Sequence, residues 1–391
     1  MRVLHLATSF PFDAGSFAGS FIHHLVRNEV AQGISCTVLT PAALRPTEWP
    51  AEYPVRRFRY APWSMQKIAQ QPGGIPAALA DNPFFYGLLL PFLASMATNI
   101  IRQSSQYDVI HAHWAVCGAM AVLTQPFHKL PVITTLRGSD FHFSQEKAPH
   151  RLLLAQAVNG SAVTTAVSEN MADTLRGAFN RQEIRFVPNG VDDVFFRLPV
   201  AEPPSPDCPW KLLYVGSLIP MKGVDILLRA LGRLSHHTWQ LTVAGEGKEG
   251  DSLRALAKGL GVAERVSFLG GVAPKEIVNL MAEHHLFVLP SLWEGRPNVV
   301  LEAMAAGRGI VVAANAGCRE LIEDGRNGWL FEPGKEEPLA VILNSVFAGE
   351  RDIAAAGRAA RRWVTDQGLT WEKAAARYAE LYDYARREGH R

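Results

Sequence analysis

Leu289-Pro-Ser-Leu-Trp-Glu294-Gly295-Arg296-Pro297-Asn298-Val299-Val-Leu-Glu302-Ala-Met-Ala-Ala-Gly307 is the stretch that says most about this chain. An apolar run ends at Pro290, a loop with glycine and proline follows, and Asn298 is placed to cap a helix over 299–306. Glu294 then stands in the loop and Glu302 one turn into the helix. Two carboxylates beside the free N–H groups of a helix start make a polar site, gripping hydroxyls with the carboxylates and phosphate or sugar oxygens with the amides. A surface turn carrying two solvated glutamates is the plainer alternative.

The strand, loop and helix of that stretch repeat on both sides of it. Apolar, β-branched runs fall at 2–7, 35–40, 108–112, 131–135, 162–167 and 184–187, then at 211–216, 239–244, 265–269, 286–289, 309–312 and 328–331. Strands alternating with helices predict parallel sheets covered on both faces, an α/β class with two doubly wound, Rossmann-like domains. Between the halves, 197–209 holds five prolines in thirteen residues, which no helix or central strand accepts. The expected division is an N-terminal domain over 1–196, a Pro-rich linker over 197–210 and a C-terminal domain over 211–370. After about 335 the pattern is purely helical, through 338–348, 352–365 and 371–387, so these helices pack on sheets already made. Two such domains make a cleft, with ligands in the loops that follow strands.

At 391 residues the chain is long enough for two or three cores, and 48% hydrophobic with 19% charged residues is a globular balance. The net charge of +2 gives no reason to expect nucleic acid as a partner. Cys36, Cys117, Cys208 and Cys318 are too dispersed for a disulfide framework or a zinc site, and suggest reduced cytoplasmic thiols. The run 1–7 is expected to be a first strand and not a leader. With no export expected, the Asn159-Gly160-Ser161 sequon carries no meaning. The apolar segment 84–101 contains Gly87, Pro91, Ser95, Thr98 and Asn99; it is expected to pack in a core or lie at a membrane interface.

Other loops after strands carry chemistry too. In Gly216-Ser217-Leu-Ile-Pro-Met-Lys222-Gly223, a lysine opens a helix whose N-terminus favours anions, which makes Lys222 a diphosphate candidate. Gly245-Glu-Gly247-Lys-Glu-Gly250 matches GxGxxG with Glu264 beyond it, but it opens the second βα unit of its domain, where a dinucleotide fingerprint does not belong. The loop 12–19 ends in Gly19, suited either to close approach of a phosphate or to a mere connector. His111 and His113 share a strand face, either as cleft histidines or as satisfied core ones, with no third ligand at metal spacing. Arg137 and Asp140 offer phosphate recognition or a structural Arg–Asp pair. The chain has no GxxxxGKS loop, GxSxG elbow, HExxH helix or DxD pair, which argues against P-loop and hydrolase chemistry.

Taken together these residues resemble the retaining GT-B glycosyltransferases of family 4 over almost the full chain. The most specific element is E-x7-E, from Glu294 to Glu302. Further matches are Gly19, HAHW at 111–114, RGSD at 137–140, VSEN at 167–170, VPNGVD at 187–192, GSLIPMKG at 216–223, FLGGV at 268–272 and the run 317–328. The resemblance implies a nucleotide-diphosphate sugar as co-substrate, UDP ahead of GDP, with no cofactor and no metal. Lys222 would hold the diphosphate, Glu302 the ribose and the stretch near Val272 the base. Glu294 with Gly295, Arg296, Pro297, Asn298 and Val299 would face the transferred sugar and its phosphate, and Gly19 would approach the phosphates. The helix over 371–391 would cross back to the N-terminal domain. Where members often carry an arginine beside the lysine, this chain has Ser217, and Arg137 stands where many have a histidine. Arg137 or Arg296 is therefore expected to restore the missing cation, making Glu294, Arg137 and Lys222 the catalytic set, with His111, His113 and Asp140 on the acceptor side or structural. Another GT-B activity, such as an epimerase or phosphorylase, and a binding protein without catalysis are the competing readings. The expected acceptor is a glycan or lipid-linked glycan of exopolysaccharide or envelope synthesis. The apolar 84–101 segment, with Arg56, Arg57 and Arg59 before it, suggests a cytoplasmic protein with peripheral contact to an anionic membrane.

Overall fold

The computed structural model describes residues 1–12, 19–42, 52–69, 74–146 and 148–388. The chain forms two compact units, Met1–Gly190 with Trp371–Arg391 and Val191–Thr370.

The first unit is a parallel sheet of β1 (Arg2–Leu6), β2 (Ser35–Pro41), β3 (Val55–Phe58), β4 (Val109–His113), β5 (Val132–Leu136), β6 (Val163–Ala166) and β7 (Ile184–Phe186), in the order β3-β2-β1-β4-β5-β6-β7. The strand order reverses direction between β1 and β4, where such sheets take their ligands. Residues alternate between two cores because strand side chains have a period of two. Leu4, Leu6, Ile110 and Ala112 pack with Phe92, Met96 and Ile100 of helix Leu89–Gln103. Val3 and Val109 pack with Trp371, Tyr378 and Tyr382 of the terminal helix Trp371–Glu388, so that helix completes the first unit. Its other neighbour is helix Ser20–Ala31.

The second unit holds β8 (Trp210–Val215), β9 (Trp239–Ala244), β10 (Val266–Gly270), β11 (Leu286–Leu289), β12 (Gly309–Ala313) and β13 (Trp329–Phe331), all parallel, in the order β10-β9-β8-β11-β12-β13. Its direction reverses between β8 and β11. Helices Glu336–Phe347 and Ile353–Asp366 bury Leu343, Val346, Ile353 and Val364 in this core.

Three expectations change. The division falls after Gly190, not after 196. The Pro-rich stretch is not a free linker, because its backbone is hydrogen-bonded along the second unit. Ala201 N–H donates to the Gly307 carbonyl at 3.0 Å, Arg361 to the Leu198 carbonyl at 2.7 Å, and Arg308 to the Pro199 carbonyl. β3 is an additional strand, hidden from an apolar-run search because its middle residues are Arg56 and Arg57 at the edge of the sheet. Arg56 donates to Gln103 and Gln106, and Arg57 donates to the Pro11 carbonyl at 2.5 Å, with burial lowering its pKa to about 10.

Candidate active site

In the second unit, the loops after β8 and β11 lie side by side. Leu292 N–H donates to the Met221 carbonyl at 2.8 Å, and Asn315, in the loop after β12, braces the β11 loop by donating to the Ser291 carbonyl at 2.9 Å. This zipper brings Lys222 Nζ to Glu294 Oε1 at 2.6 Å, 72 residues apart in sequence. Lys222 ends a 3₁₀ turn (Pro220–Lys222), and Gly223 then begins helix Val224–Gly232. The Glu294 side chain is nearly buried and Lys222 remains partly exposed. A charge-assisted pair of this kind holds a carboxylate and an ammonium at the carboxyl ends of the two strands that flank the switch point. The loop containing Ser217 is braced from below by Tyr214, whose hydroxyl donates to the Ser217 carbonyl at 3.0 Å.

Helix Asn298–Ala305 begins one residue earlier than expected. Pro297 occupies the N-cap position and Asn298 is the first helical residue, so the capping role assigned to Asn298 falls away. A proline there has φ −74°, outside the helix yet already close to helical φ, which lets the chain turn without a side-chain cap. Glu302 sits one turn in, partly buried, and its carboxyl is pushed up to about 7, by burial first and by the Asp192 carboxylate second. Val299 and Val272 are partly buried against the core of the unit, Val272 just beyond β10. Gly295 and Arg296 complete the loop. Arg296 donates to Glu320 at 2.9 Å, and its side chain is only 5% exposed. That pairing commits the guanidinium expected to compensate for Ser217 to a neighbouring carboxylate.

The GxGxxG at 245–250 has a packing explanation. A Cβ at Gly245, where φ is +153°, would lie 1.8 Å from the Gly216 carbonyl oxygen, so glycine lets this turn pass under the Ser217 loop. Glu246 accepts from Gly271 N–H at 3.0 Å, tying the same turn to the end of β10.

In the first unit, residues 13–18 of the glycine loop, Gly15 among them, lie outside the described residues. Gly19 closes that loop at φ +75°, and a Cβ there would sit 2.3 Å from the Ser9 carbonyl oxygen. Only glycine meets both demands. Asp140 accepts backbone N–H groups from Arg137, Gly138 and Phe141 on one oxygen and from Ala115 on the other, all at 3.0 to 3.1 Å. It pairs with the Arg137 backbone and leaves the guanidinium to other partners. Arg137 Nη1 donates to Asn189 at 2.6 Å, Nη2 lies 2.9 Å from His113 Nδ1, and the guanidinium covers the Phe21 ring at 4.6 Å.

His111 and His113 are fully buried. Burial holds both imidazoles well below 6.5, with neighbouring histidines and Arg137 adding to the effect. They belong to a polar cluster that the sequence reading did not assemble. His5 pairs with His111 in register across β1 and β4. His5 Nδ1 lies 3.2 Å from His113 Nε2, and His5 Nε2 lies 2.8 Å from Glu29 Oε2. Tyr382 donates to Glu29 at 2.6 Å, His111 is 2.6 Å from Tyr382 and 2.7 Å from Thr135, and Cys36 donates to Glu29 at 3.4 Å. Two ligand-type groupings, His5 with His111 and His113, and His5 with Glu29 and Cys36, fall within this cluster. Most of their polar atoms are already within hydrogen-bond distance of one another, the His5 Nε2 contact with Glu29 being close without hydrogen-bond geometry. The available signal is a polar residue in the middle or at the end of each of four otherwise apolar strands: His5, His111 and His113, Thr135, and Thr165.

Comparison with known proteins agrees with this geometry. Residues 200–363 match the family model described as glycosyl transferases group 1, and residues 18–195 match that for glycosyltransferase family 4. Glycogen synthase of Mycobacterium tuberculosis is 28% identical over 414 aligned positions, covering 99% of this chain and 95% of that protein. A GDP-mannose-dependent alpha-(1-6)-phosphatidylinositol monomannoside mannosyltransferase of Mycolicibacterium smegmatis is 27% identical, covering 75% of this chain and 81% of that one. Among solved structures, HepE of Anabaena in complex with UDP-glucose has a TM-score of 0.76 at 21% identity, covering 98% of this chain and 99% of its own. With two family models spanning both halves, and with two doubly wound parallel sheets, the chain belongs to the family 4 glycosyltransferases of the GT-B fold.

Proposed function

We propose that this glycosyltransferase moves a sugar from a nucleotide-diphosphate donor to a hydroxyl of a glycan or lipid-linked acceptor, with retention at the anomeric carbon and without a metal. The observation that carries the reading is the Lys222–Glu294 pair at the second unit's switch point. Departure of the leaving group places negative charge on a diphosphate, and the sequence has no DxD pair to recruit a metal for it. Lys222 then meets that charge, and a group that is stronger against the leaving diphosphate than against the bound donor accelerates the step. Glu294 faces the other partner of the breaking bond, the sugar carbon that becomes cationic. It stabilises that carbon electrostatically during front-face attack or adds to it as a nucleophile. Arg137, in the first unit, is proposed as a second cation for the reaction.

UDP is placed ahead of GDP; the UDP-glucose bound by HepE favours this order, and the GDP-mannose dependence of the mannosyltransferase relative is the opposing precedent. Thermal melting with UDP, GDP, ADP and NADH tests it, since a ligand at about 100 times its Kd adds roughly 2.7 kcal/mol to the native state. One nucleoside diphosphate should raise the melting temperature, and Lys222→Ala should abolish the shift. A shift with NADH alone would overturn the reading.

The acceptor side is proposed to work at the inner face of the cytoplasmic membrane, in exopolysaccharide or envelope glycan synthesis. The segment Pro83–Gln106 is long and apolar enough to cross a membrane by length and composition, yet one stripe of it, Phe92, Met96 and Ile100, is built into the first unit's core. Phe84, Tyr86 and Leu90 are exposed, as are Leu123 and Phe127 on helix Ala115–His128, which packs beside it. The stretch 53–107 carries Arg56, Arg57, Arg59, Lys67 and Arg102 against a single acid, Asp81. An apolar face within a cationic segment suits anionic lipid.

A further inference from the structure

The buried cluster of the first unit has one consistent proton order along the two paths that lead to Glu29. Arg137 has no lone pair to offer, so its Nη2 can only donate across the 2.9 Å to His113 Nδ1. His113 must therefore carry its proton on Nε2, which faces His5 Nδ1 at 3.2 Å. His5 in turn carries its proton on Nε2, the atom that lies 2.8 Å from Glu29 Oε2. That last contact is close but off the line of the N–H bond; an unprotonated nitrogen there would set a lone pair against a carboxylate. Around the other side, Tyr382 donates to Glu29 Oε1, so its oxygen accepts from His111 Nδ1, leaving His111 Nε2 to accept from Thr135. Thr135 then accepts from Thr165 or Tyr378 at 2.6 and 3.0 Å. Each of these donors points, directly or through a neighbour, toward Glu29.

We propose that Glu29 and His5 are positioning residues for Arg137, acting through His113 as an oriented wire, two hydrogen bonds ended by the close His5–Glu29 contact, that holds the guanidinium in one place. The inference rests on the role given to Arg137 above. The carboxylate at one end and the guanidinium at the other are opposite charges joined by two neutral imidazoles, and each imidazole is locked in one tautomer by what its far nitrogen meets. Arg137 is further pinned by Asn189 and by the Phe21 ring, so rotation of the guanidinium would break two hydrogen bonds and one stacking contact. Neutral imidazoles agree with the burial of His113 and His111 and the lowered affinity for protons that follows. The terminal helix takes part through Tyr382 and Tyr378, which is a reason beyond packing for it to belong to the first unit.

Nitrogen-15 NMR of the histidine rings in the intact chain tests the wire without any variant. Expected are Nε2–H tautomers for both His5 and His113; a proton on His113 Nδ1, or an imidazolium at either ring at neutral pH, overturns it. Kinetics test the positioning. Glu29→Gln should lower kcat about tenfold, the scale on which supporting partners of a site act, with the donor KM within about twofold. The same change in an Arg137→Ala background should have almost no effect, because the group it positions is gone. An undiminished effect there would mean that Glu29 acts on folding alone. Unchanged turnover in Arg137→Ala by itself overturns the catalytic role of Arg137, while intact tautomers would still support the wire, so the two failures are told apart.

Discussion

The two switch points solve different problems with the same sheet geometry. In the second unit, the residues at the strand ends are a bare ion pair, Lys222 with Glu294, partly open to a ligand. In the first unit, polar residues run back from the strand ends into the core, from Arg137 through His113 and His5 to Glu29, with His111 joining Glu29 through Tyr382 and with His5, Glu29, His111 and His113 at zero exposure. On the proposed function, a site that exchanges its partner for a diphosphate keeps its charges near the surface, and one that holds a guanidinium still buries the support. The sharpest way to break this contrast is Lys222→Ala. Removing a charge that meets the leaving group should cost about 10² to 10³ in kcat, as for other electrostatic stabilisers of a transition state. Steady-state kinetics with the donor that passes the melting test would measure it. A loss confined to KM would make Lys222 a binding group only.

Support by burial predicts the reverse profile for Asp140. Its carboxylate satisfies four backbone N–H groups from two loops of the first unit. Asp140→Ala leaves those donors without their acceptor and should destabilise the unit by about 3 kcal/mol, given the cost of unsatisfied buried donors. Urea unfolding followed through the first unit reports this. A stable Asp140→Ala chain that has lost turnover would instead place Asp140 among the reacting groups.

The same contrast explains what could be read from sequence. Strands such as β4 to β6 and β8, β9, β11 and β12 are legible because a parallel sheet buries both faces and so writes an apolar run. β3 is an edge strand whose arginines reach the Pro11 carbonyl and the glutamines of a helix end, and no apolar run marks it. Lys222 and Glu294 are each legible because each sits in a short loop that directly follows a strand, while their pairing across 72 positions is not. Glu29, His5 and Tyr382 are not, since Glu29 and Tyr382 meet from 353 positions apart. Asn298 was placed as a cap on side-chain type, where proline took the position through its backbone. Arg296 looked like a ligand because its partner Glu320 lies 24 residues on, in a different loop.

A smaller effect separates the units at their surfaces. Most exposed large apolar residues belong to the first unit, Phe84, Tyr86, Leu90, Leu123 and Phe127 among them, whereas those of the second, such as Leu269 and Val341, lie on separate elements. Phe84→Ser with Leu90→Ser should weaken binding to vesicles containing anionic lipid about tenfold, a fraction of what full burial of two such side chains supplies. Turnover on a soluble acceptor should stay the same. Sedimentation with vesicles decides it, and undiminished binding would move the membrane contact elsewhere.

The smallest expected effect is a difference in how the units respond to acid. In the first unit, burial lowers the proton affinity of His23, His111, His113 and His128, opposed by Asp140, whose carboxyl burial raises. In the second, His284 and His285 are lowered by burial, and Glu302 is raised to about 7. A histidine kept neutral by folding takes up its proton only on unfolding, so its contribution to stability is lost as pH falls below 6.5. Glu302 acts the other way: from the ordinary carboxyl value up to about 7, the folded form holds a proton that the unfolded form has released, and stability falls as pH rises through that window. Each group contributes at most about 1.4 kcal/mol per pH unit, less for the partly exposed Glu302. Lowering pH from 6.5 to 5 should therefore cost the first unit more than the second. Hydrogen exchange corrected for intrinsic rates reads the two separately, in β1 and β4 against β11 and β12. Glu302→Gln should remove the opposing contribution and steepen the second unit's loss toward that of the first. An unchanged slope would mean that the Glu302 carboxyl is ionised across the whole range, and that Asp192 does not share its field.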